Sequence, residues 1–308
     1  MMGKHVLALL FPLACLVACS SPKQQGPLVV CSIYPEYEWT KAIIGENKDI
    51  QLALLQDTGA DLHSFQPRVS DIVTLSKADV FIYNGGESDE WVEKALENVS
   101  KPQIDLNLME EIEPLLYAEE HPEGMQGEAE EEEVYDEHIW LSLRLAFACL
   151  EPIVDALSTA FPSYADSFEK NALQYGEALT ELDARFASCV KNAKTGTLLF
   201  ADRFPFLYLS KDYGLHYFAA FAGCSTDAEA SVQTIRFLVK MLDETGLRHV
   251  SVLENSDRRL AETVIDASKE RNQTIVSFDS MQSMTLQRGK SYLEAMEHNL
   301  FALQEALS

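Results

Sequence analysis

Residues 165–190, ADSFEKNALQYGEALTELDARFASCV, carry a helical repeat in the middle of the chain. Apolar residues alternate spacings of four and three, which places them along one seam of a single helix; they are Phe168, Ala172, Tyr175, Leu179, Leu182, Phe186 and Cys189. Such a helix would be about 39 Å long. The pattern fits either a coiled-coil dimer or a rigid strut within one chain. We favour the strut, because the repeat is short and strand-rich segments flank it on both sides.

Strand-like and helix-like patterns alternate on either side of this helix. Before it, short apolar runs predict strands at 28–33, 50–55 and 80–83, separated by helices. After it, the same rhythm predicts strands at 197–201, 217–221, 250–253 and 274–278. Continuous apolar strands are typical of parallel sheets covered on both faces. We therefore predict an α/β fold with an N-terminal lobe at 28–162, a connecting helix at 163–194 and a C-terminal lobe at 195–308.

The amino terminus has the pattern of a lipoprotein signal. Residues 6–18 are apolar and follow Lys4, a run too short for a comfortable membrane span but suited to a signal-peptide core. They end in Leu16-Val17-Ala18-Cys19, which resembles a bacterial lipobox. We predict a signal peptide at 1–18, lipid on Cys19 and a flexible tether at 19–27. The chain would then be anchored outside the cytoplasmic membrane, in the periplasm or at the cell surface.

Composition excludes several classes of function. The 308 residues carry 24 Lys and Arg against 49 Asp and Glu, a formal net charge of −25. So acidic a surface repels phosphate and argues against nucleic-acid binding. Beyond the signal segment no C-x-x-C motif is present, so a zinc finger or redox motif is not indicated. Four cysteines remain whose disulfide pairing the sequence leaves open: Cys31, Cys149, Cys189 and Cys224.

An acidic segment at 119–137, EEHPEGMQGEAEEEEVYDE, has no Lys or Arg. It lacks an apolar face to bury, and we expect a mobile loop. A solvated charge run and a weak cation-collecting arm that includes His121 are equally compatible with this composition.

Three motifs suit a divalent metal. Residues 59–67 read GADLHSFQP and place His63 after a predicted strand, residues 135–140 read YDEHIW and place His138 at a helix start, and Asp279 follows the last strand. Ligand sites of α/β sheets lie at the carboxyl ends of strands. Two imidazoles and a carboxylate form a normal partial shell for zinc, manganese or iron. Each motif alone is weak evidence.

Together, these motifs resemble those of the zinc/manganese solute-binding lipoproteins of bacterial ABC transporters. The first resembles the family pattern G-x-D-x-H-x-[FY]-x-P, the second resembles D-x-H-x-W, and residues 202–215 resemble a block that ends in Y-G-L. The resemblance runs from the lipobox to the last helix. It implies two Rossmann-like lobes with parallel sheets, joined by one long helix, and a metal cleft between them. It also implies His63, His138 and Asp279 as ligands.

Arg203 departs from the family pattern, because members of the common type carry a ligand histidine at this position. A guanidinium has no lone pair to offer a metal. Three alternatives stay open: a water completes the shell, Glu254 supplies a fourth ligand, or Arg203 binds the anion of a metal complex. Alternatively, Arg203 pairs with a carboxylate and shapes the cleft, and Glu254 is the natural candidate for that carboxylate.

The resemblance predicts a monomeric, non-enzymatic protein that captures Zn²⁺ and passes it to an ABC permease with its cytoplasmic ATPase. Mn²⁺ is the alternative cargo, because two histidines and one aspartate lie between the preferences of the two ions. A surface adhesin of the same fold is a rival, to which Arg203 lends support. A zinc metallohydrolase is a weaker rival, because no motif such as H-E-x-x-H supplies a general base.

Overall fold

The computed structural model describes residues 26–97, 99, 102, 104–126, 134–225 and 229–308. The predicted signal peptide, Cys19 and the tether up to residue 25 lie outside the described residues, as does the centre of the acidic segment. Among the described residues, no helix is long and apolar enough to cross a membrane.

The N-terminal lobe contains a four-stranded parallel sheet in the order β2-β1-β3-β4. Its central strands are almost fully buried because they are uninterrupted apolar runs covered on both faces. The strands are β1 Leu28–Cys31, β2 Gln51–Leu54, β3 Val80–Tyr83 and β4 Ile104–Asn107. The helices are α1 Tyr34–Ile44, α2 Val69–Leu75, α3 Trp91–Glu97, α4 Leu108–Glu111, α5 Leu143–Ala148 and α6 Leu150–Ala160.

The C-terminal lobe repeats this topology with a second parallel sheet in the order β6-β5-β7-β8. The register of β5 against β6 shifts between Phe200 and Arg203, which places a bulge just before the predicted cleft position. The strands are β5 Thr197–Phe204, β6 His216–Ala222, β7 His249–Leu253 and β8 Thr274–Phe278. The helices are α8 Leu207–Tyr213, α9 Val232–Thr245, α10 Arg259–Ala267 and α11 Tyr292–Ala306. The predicted α/β class with two parallel sheets is confirmed.

One long helix, α7 Ala165–Lys191, connects the two lobes over 27 residues. Its seam residues Phe168, Leu179, Leu182 and Phe186 are buried against α1, α5 and α6 of the first lobe and α11 of the second. A single hydrophobic core therefore includes side chains of both lobes and of the helix between them. The strut interpretation fits this packing, because the seam faces the chain's own core.

The four cysteines of the described residues are free thiols. Cys31 and Cys149 are fully buried among apolar side chains, as expected of thiols that serve as small apolar residues. Cys189 and Cys224 are partly exposed.

Candidate metal centre

The candidate site lies where the carboxyl ends of the two sheets face each other. A 3-10 helix at Leu62–Ser64, which follows β2, carries His63, and a second at Ile139–Leu141 begins directly after His138. The loop after β8 carries Gln282, and the loop after β6 carries Cys224. Four separate connections thus meet at the edge where α/β sheets bind ligands.

The two histidines are close and are buried. Their ring centroids lie 5.4 Å apart, and the side chains are 8% exposed for His63 and 0% for His138. Asp61 accepts a hydrogen bond from the His63 backbone N–H and so caps the first 3-10 helix. Asp136 accepts one from the His138 backbone N–H at 2.8 Å. Each motif therefore fixes its own histidine locally.

Carboxylates favour one neutral tautomer of both rings. His138 Nδ1 lies 3.0 Å from Asp136 Oδ1, and His63 Nδ1 lies 2.9 Å from Glu137 Oε1 and 2.8 Å from Ser88 Oγ. A carboxylate only accepts hydrogen bonds, so each Nδ1 carries the proton. Each Nε2 is then left with a free lone pair, which is the arrangement that orients histidines toward a metal.

Both lone pairs point at one position, which is occupied by the side-chain amide of Gln282. The amide nitrogen lies 2.9 Å from His63 Nε2 and 2.8 Å from His138 Nε2. Its two N–H groups can donate one hydrogen bond to each ring. A half-turn of the amide about its terminal bond would bring Oε1 to the same position. The chain can therefore present two imidazole nitrogens and one amide oxygen to a cation.

Glu137 supplies buried negative charge beside the histidines. Burial raises the pKa of Glu137, but the hydrogen bond from His63, the charge of His138 and the hydrogen bond from Ser88 outweigh it and hold that pKa at about 2. Burial lowers the pKa of His138, and the charge and hydrogen bond of Asp136 more than offset this, so that pKa lies above its ordinary value. Glu137 is thus an anion at neutral pH and can offset the charge of a bound cation.

Cys224 completes a cluster of four metal-ligating residue types. A nitrogen of His63, a nitrogen of His138, an oxygen of Glu137 and the sulfur of Cys224 all lie within 4.8 Å of one another. The thiol donates to Glu137 Oε1 at 3.5 Å. Burial, followed by the charge of Glu137, raises the pKa of the Cys224 thiol, so the metal-free site holds a neutral thiol.

The structure brings together only two of the four predicted ligands, His63 and His138. Asp279 Oδ1 accepts the Met281 backbone N–H at 3.1 Å, and its Oδ2 lies 3.7 Å from Lys290 Nζ. Glu254 accepts the backbone N–H and hydroxyl of Ser280 at 2.9 Å and 3.0 Å. Neither carboxylate belongs to the four-residue cluster. Their role as ligands stays a prediction that this geometry does not favour; both instead fix the loop that presents Gln282.

Arg203 forms an ion pair across the cleft, at 2.5 Å, with Asp61 of the loop that carries His63. Burial raises the pKa of Asp61, but the hydrogen bond and charge of Arg203 outweigh it and leave that pKa below its usual range. The prediction that Glu254 is the carboxylate partner of Arg203 is wrong. The end of β5 faces the first lobe, and the large separation of Asp61 and Arg203 in the sequence gave no indication of this. The pairing agrees with a role in shaping the cleft.

His121 lies apart from this cluster, and its Nε2 is 3.8 Å from Glu119 Oε2. The described ends of the acidic segment, for which we predicted a mobile loop, make backbone contacts with other parts of the chain. Ala118 bridges Tyr135, and the Gln126 backbone N–H donates to Ala220 O in β6 at 2.8 Å. A capture role for His121 stays a prediction.

Five residues of the site were not identified as such from the sequence. Asp136 and Glu137 lie inside the motif quoted for His138, so their adjacency was the available signal. Gln282 follows Asp279 by three residues, but nothing in the sequence shows that the loop turns its side chain back to the histidines. Ser88 and Cys224 carried no signal beyond residue type.

Comparison with known proteins identifies the family of the chain. The profile of the family described as "ZnuA: Zinc-uptake complex component A periplasmic" matches residues 29–306. The chain belongs to this family. The resemblance predicted from the sequence motifs is thereby confirmed at the level of the ZnuA family.

Curated relatives bear names of zinc-binding and zinc-uptake proteins, not of enzymes. The zinc-binding lipoprotein AdcA of Streptococcus pneumoniae is 31% identical over 294 residues, which cover 94% of this chain and 58% of that protein. The chain thus spans little more than half of that relative's length. The high-affinity zinc uptake system protein ZnuA of Bacillus subtilis is 27% identical over 320 residues, covering 99% of this chain and 97% of that one.

Solved structures show the same fold. The Zn(II)-bound ZnuA-like domain of S. pneumoniae AdcA superposes with a TM-score of 0.73 at 28% identity, covering 92% of this chain and 99% of that domain. The laminin-binding protein Lmb of Streptococcus agalactiae superposes with a TM-score of 0.74 at 22% identity, which shows the fold alone. ZnuA-like two-lobed architecture is therefore common to all of them.

Proposed function

We propose that this chain captures a zinc ion between its lobes and delivers it to an ABC permease for import. One observation carries the proposal: two buried imidazoles, each with its Nδ1 bonded to a carboxylate or hydroxyl, aim their Nε2 atoms at one position. The names of the ZnuA relatives support zinc as the cargo. The proposed ligands are His63, His138 and Gln282, with Glu137 offsetting the charge of the ion.

The mechanism is capture. Zinc enters at the amide of Gln282, which rotates to offer its oxygen, while the two imidazoles already have the tautomer that a metal needs. Glu137 and Asp136 hold that tautomer and reduce the charge that the buried ion would otherwise leave unpaired. Because a neutral amide is a weaker ligand than a carboxylate, the release of zinc to a permease requires less free energy than it would with a carboxylate at position 282.

The proposal includes the setting of the protein. The lipobox-like segment and the lipoprotein name of the S. pneumoniae relative support a lipid anchor on Cys19 outside the cytoplasmic membrane. The uptake-system name of the B. subtilis relative supports a permease and its ATPase as partners. We propose that the chain acts as a monomer.

Zinc content and competitive zinc affinity of the purified chain test the proposal. We expect about one zinc per chain, with affinity lowered at least about tenfold in His63→Ala and in His138→Ala. His216→Ala is the matched control, because His216 is exposed at the start of β6. Gln282→Glu should bind zinc more tightly than the wild type, since it places a full negative charge between the rings. A wild-type chain without stoichiometric zinc would overturn the proposal and would favour the alternative of a surface adhesin with the same fold.

A further inference from the structure

We infer that Cys224 is a thiolate ligand of the captured ion, so that the site is selective for soft divalent metals; this rests on the proposed function. The first ground is proximity. The Cys224 sulfur lies within 4.8 Å of donor atoms of His63, His138 and Glu137, and all of these side chains are of types that bind metals.

The second ground is the direction of the backbone that carries the thiol. Gly223 precedes Cys224 and packs directly on the His138 ring, where a Cβ at Gly223 would lie 2.7 Å from His138 Cε1. The absence of a side chain there lets the end of β6 approach the imidazole closely. The segment is thus placed to deliver the next side chain, Cys224, to the same cation.

The third ground is the number of donor atoms that the cluster offers to a metal. Arg203 cannot bind a metal and is paired with Asp61, so β5 contributes no donor atom to the cluster. The loop that follows the neighbouring strand β6 supplies Cys224 instead. Two imidazoles, one thiolate and the Gln282 oxygen make a four-coordinate shell of the kind that zinc adopts. Binding transfers the thiol proton to solvent, and the zinc–sulfur bond replaces the S–H···O contact with Glu137.

A thiolate changes which metal the site prefers. Soft sulfur ligands favour zinc, whereas manganese prefers oxygen donors and higher coordination. The inference therefore predicts that this chain discriminates against Mn²⁺, the alternative cargo of the sequence motifs. Replacing the sulfur with oxygen should reduce this discrimination.

Cobalt substitution tests the inference directly. The purified wild-type chain loaded with Co²⁺ should show a near-ultraviolet sulfur-to-cobalt charge-transfer band. Cys224→Ser should lose the band and bind zinc at least about tenfold more weakly. Cys189→Ser is the matched control, because Cys189 is a partly exposed thiol on α7 outside the cluster, and it should keep both the band and the affinity. Cys224→Asp should lose the band and raise the ratio of Mn²⁺ to Zn²⁺ affinity.

The outcomes separate this inference from the proposed function. Zinc binding that His63→Ala weakens but Cys224→Ser leaves unchanged, with no sulfur band in the wild type, would overturn the thiolate ligand alone. No zinc in the wild type would overturn both. Protection of Cys224 from alkylation by zinc, measured on the folded wild-type chain, supports the inference even if Cys224→Ser fails to fold; equal alkylation with and without zinc would contradict it.

Discussion

Gly223 shows how a single residue limits the geometry of the site. A Cβ at this position would lie 2.7 Å from His138 Cε1 and 3.1 Å from the Cα of Pro205. The backbone of Pro205 cannot move cheaply, so the added methyl must displace the imidazole. We expect Gly223→Ala to lower zinc affinity by about tenfold or more, as does the loss of groups that orient a ligand.

Gly196→Ala is the control for this substitution, because a Cβ there would meet no atom within 4 Å. Isothermal titration of both variants would measure the difference. Equal affinities in the two variants would show that His138 does not bind the metal in the ring position described.

Substitutions can distinguish the roles of Asp279 and Gln282 in zinc binding. Asp279→Asn keeps the side-chain oxygen that accepts the Met281 N–H, so the loop should keep its turn. We expect zinc affinity to change by less than about threefold in Asp279→Asn, whereas Gln282→Ala should lower it by at least about tenfold. Competitive titration against a zinc chelator measures both. The reverse order would show that the strand-end carboxylate, predicted from the sequence, is the ligand.

Asp89 makes the stability of the metal-free chain depend on pH. Its Oδ2 accepts hydrogen bonds from Ser32 Oγ and Gly85 N, while its Oδ1 and Glu36 Oε1 are buried without a hydrogen-bond partner among the described residues. Burial raises the pKa of Asp89 from 3.8 to about 7. Between these values the folded chain holds a proton that the unfolded chain has lost. Stability should therefore fall as pH rises through this range, by up to about 1.4 kcal/mol per unit.

Asp89→Asn should reduce this loss, because an amide stays neutral and its oxygen still accepts both hydrogen bonds; the part due to Glu36, whose pKa burial also raises, should remain. Urea unfolding at pH 5, 6 and 7 would give the free energies of unfolding for wild type and variant. The control is Asp105→Asn, which removes an exposed carboxylate of β4 and should follow the wild type. Parallel curves for Asp89→Asn and wild type would contradict the raised pKa.

At the scale of elements, α7 packs against both lobes and joins them. Leu179 on its seam is 1% exposed, whereas Leu173 on its outer face is 72% exposed. Leu179→Ala should lower the free energy of unfolding by about 2–5 kcal/mol, because it leaves a cavity in the shared core. Leu173→Ala should change it by less than about 0.5 kcal/mol. Urea unfolding distinguishes them; comparable losses, dependent on protein concentration, would indicate a coiled-coil dimer instead.

Elements with strong apolar periodicity were predictable, and those whose burial depends on neighbours were not. The seam of α7 and the apolar strands β1 and β3 appear in the sequence because their own side chains carry the pattern. Strand β4 reads Ile-Asp-Leu-Asn and has no such run, and it forms a strand only because β3 pairs with it. Tertiary context overrides local propensity in such segments.

The site divides in the same way. His63 and His138 were predictable because each lies in a short motif whose aspartate accepts the backbone N–H of its own histidine. Gln282 was not, because its position depends on a turn through Met281, whose φ is 59°. Asp279 and Glu254 were chosen for their place at strand ends, yet the loop uses both for its own hydrogen bonds. Strand-end position thus led to the loop that carries Gln282, and the role of Asp279 as a ligand stays a prediction.

At the scale of the whole molecule, we expect the shape to change little on metal binding. The hydrophobic core runs through both lobes, and α7 packs against helices of each. Direct hydrogen bonds also cross the cleft: the Leu62 N–H donates to Gln282 O at 3.0 Å, and the Trp140 indole N–H donates to Ser280 O at 2.9 Å. A large hinge rotation would break these buried bonds and expose the shared core, whose packing resists gradual deformation.

Metal capture should therefore be a local event at Gln282 and the loops around it. Small-angle X-ray scattering of the metal-free and zinc-loaded chain should give the same radius of gyration within error. The intrinsic tryptophan fluorescence of the chain should change, because the ring of Trp140 lies 5.2 Å from that of His138. His63→Ala, titrated in parallel, should show no change in fluorescence at the same zinc concentration. A fall in the radius of gyration of the wild type on adding zinc would mean that the lobes close by rotation. The strut would then act as a hinge, and affinity would depend on the interface between the lobes as well as on the ligands.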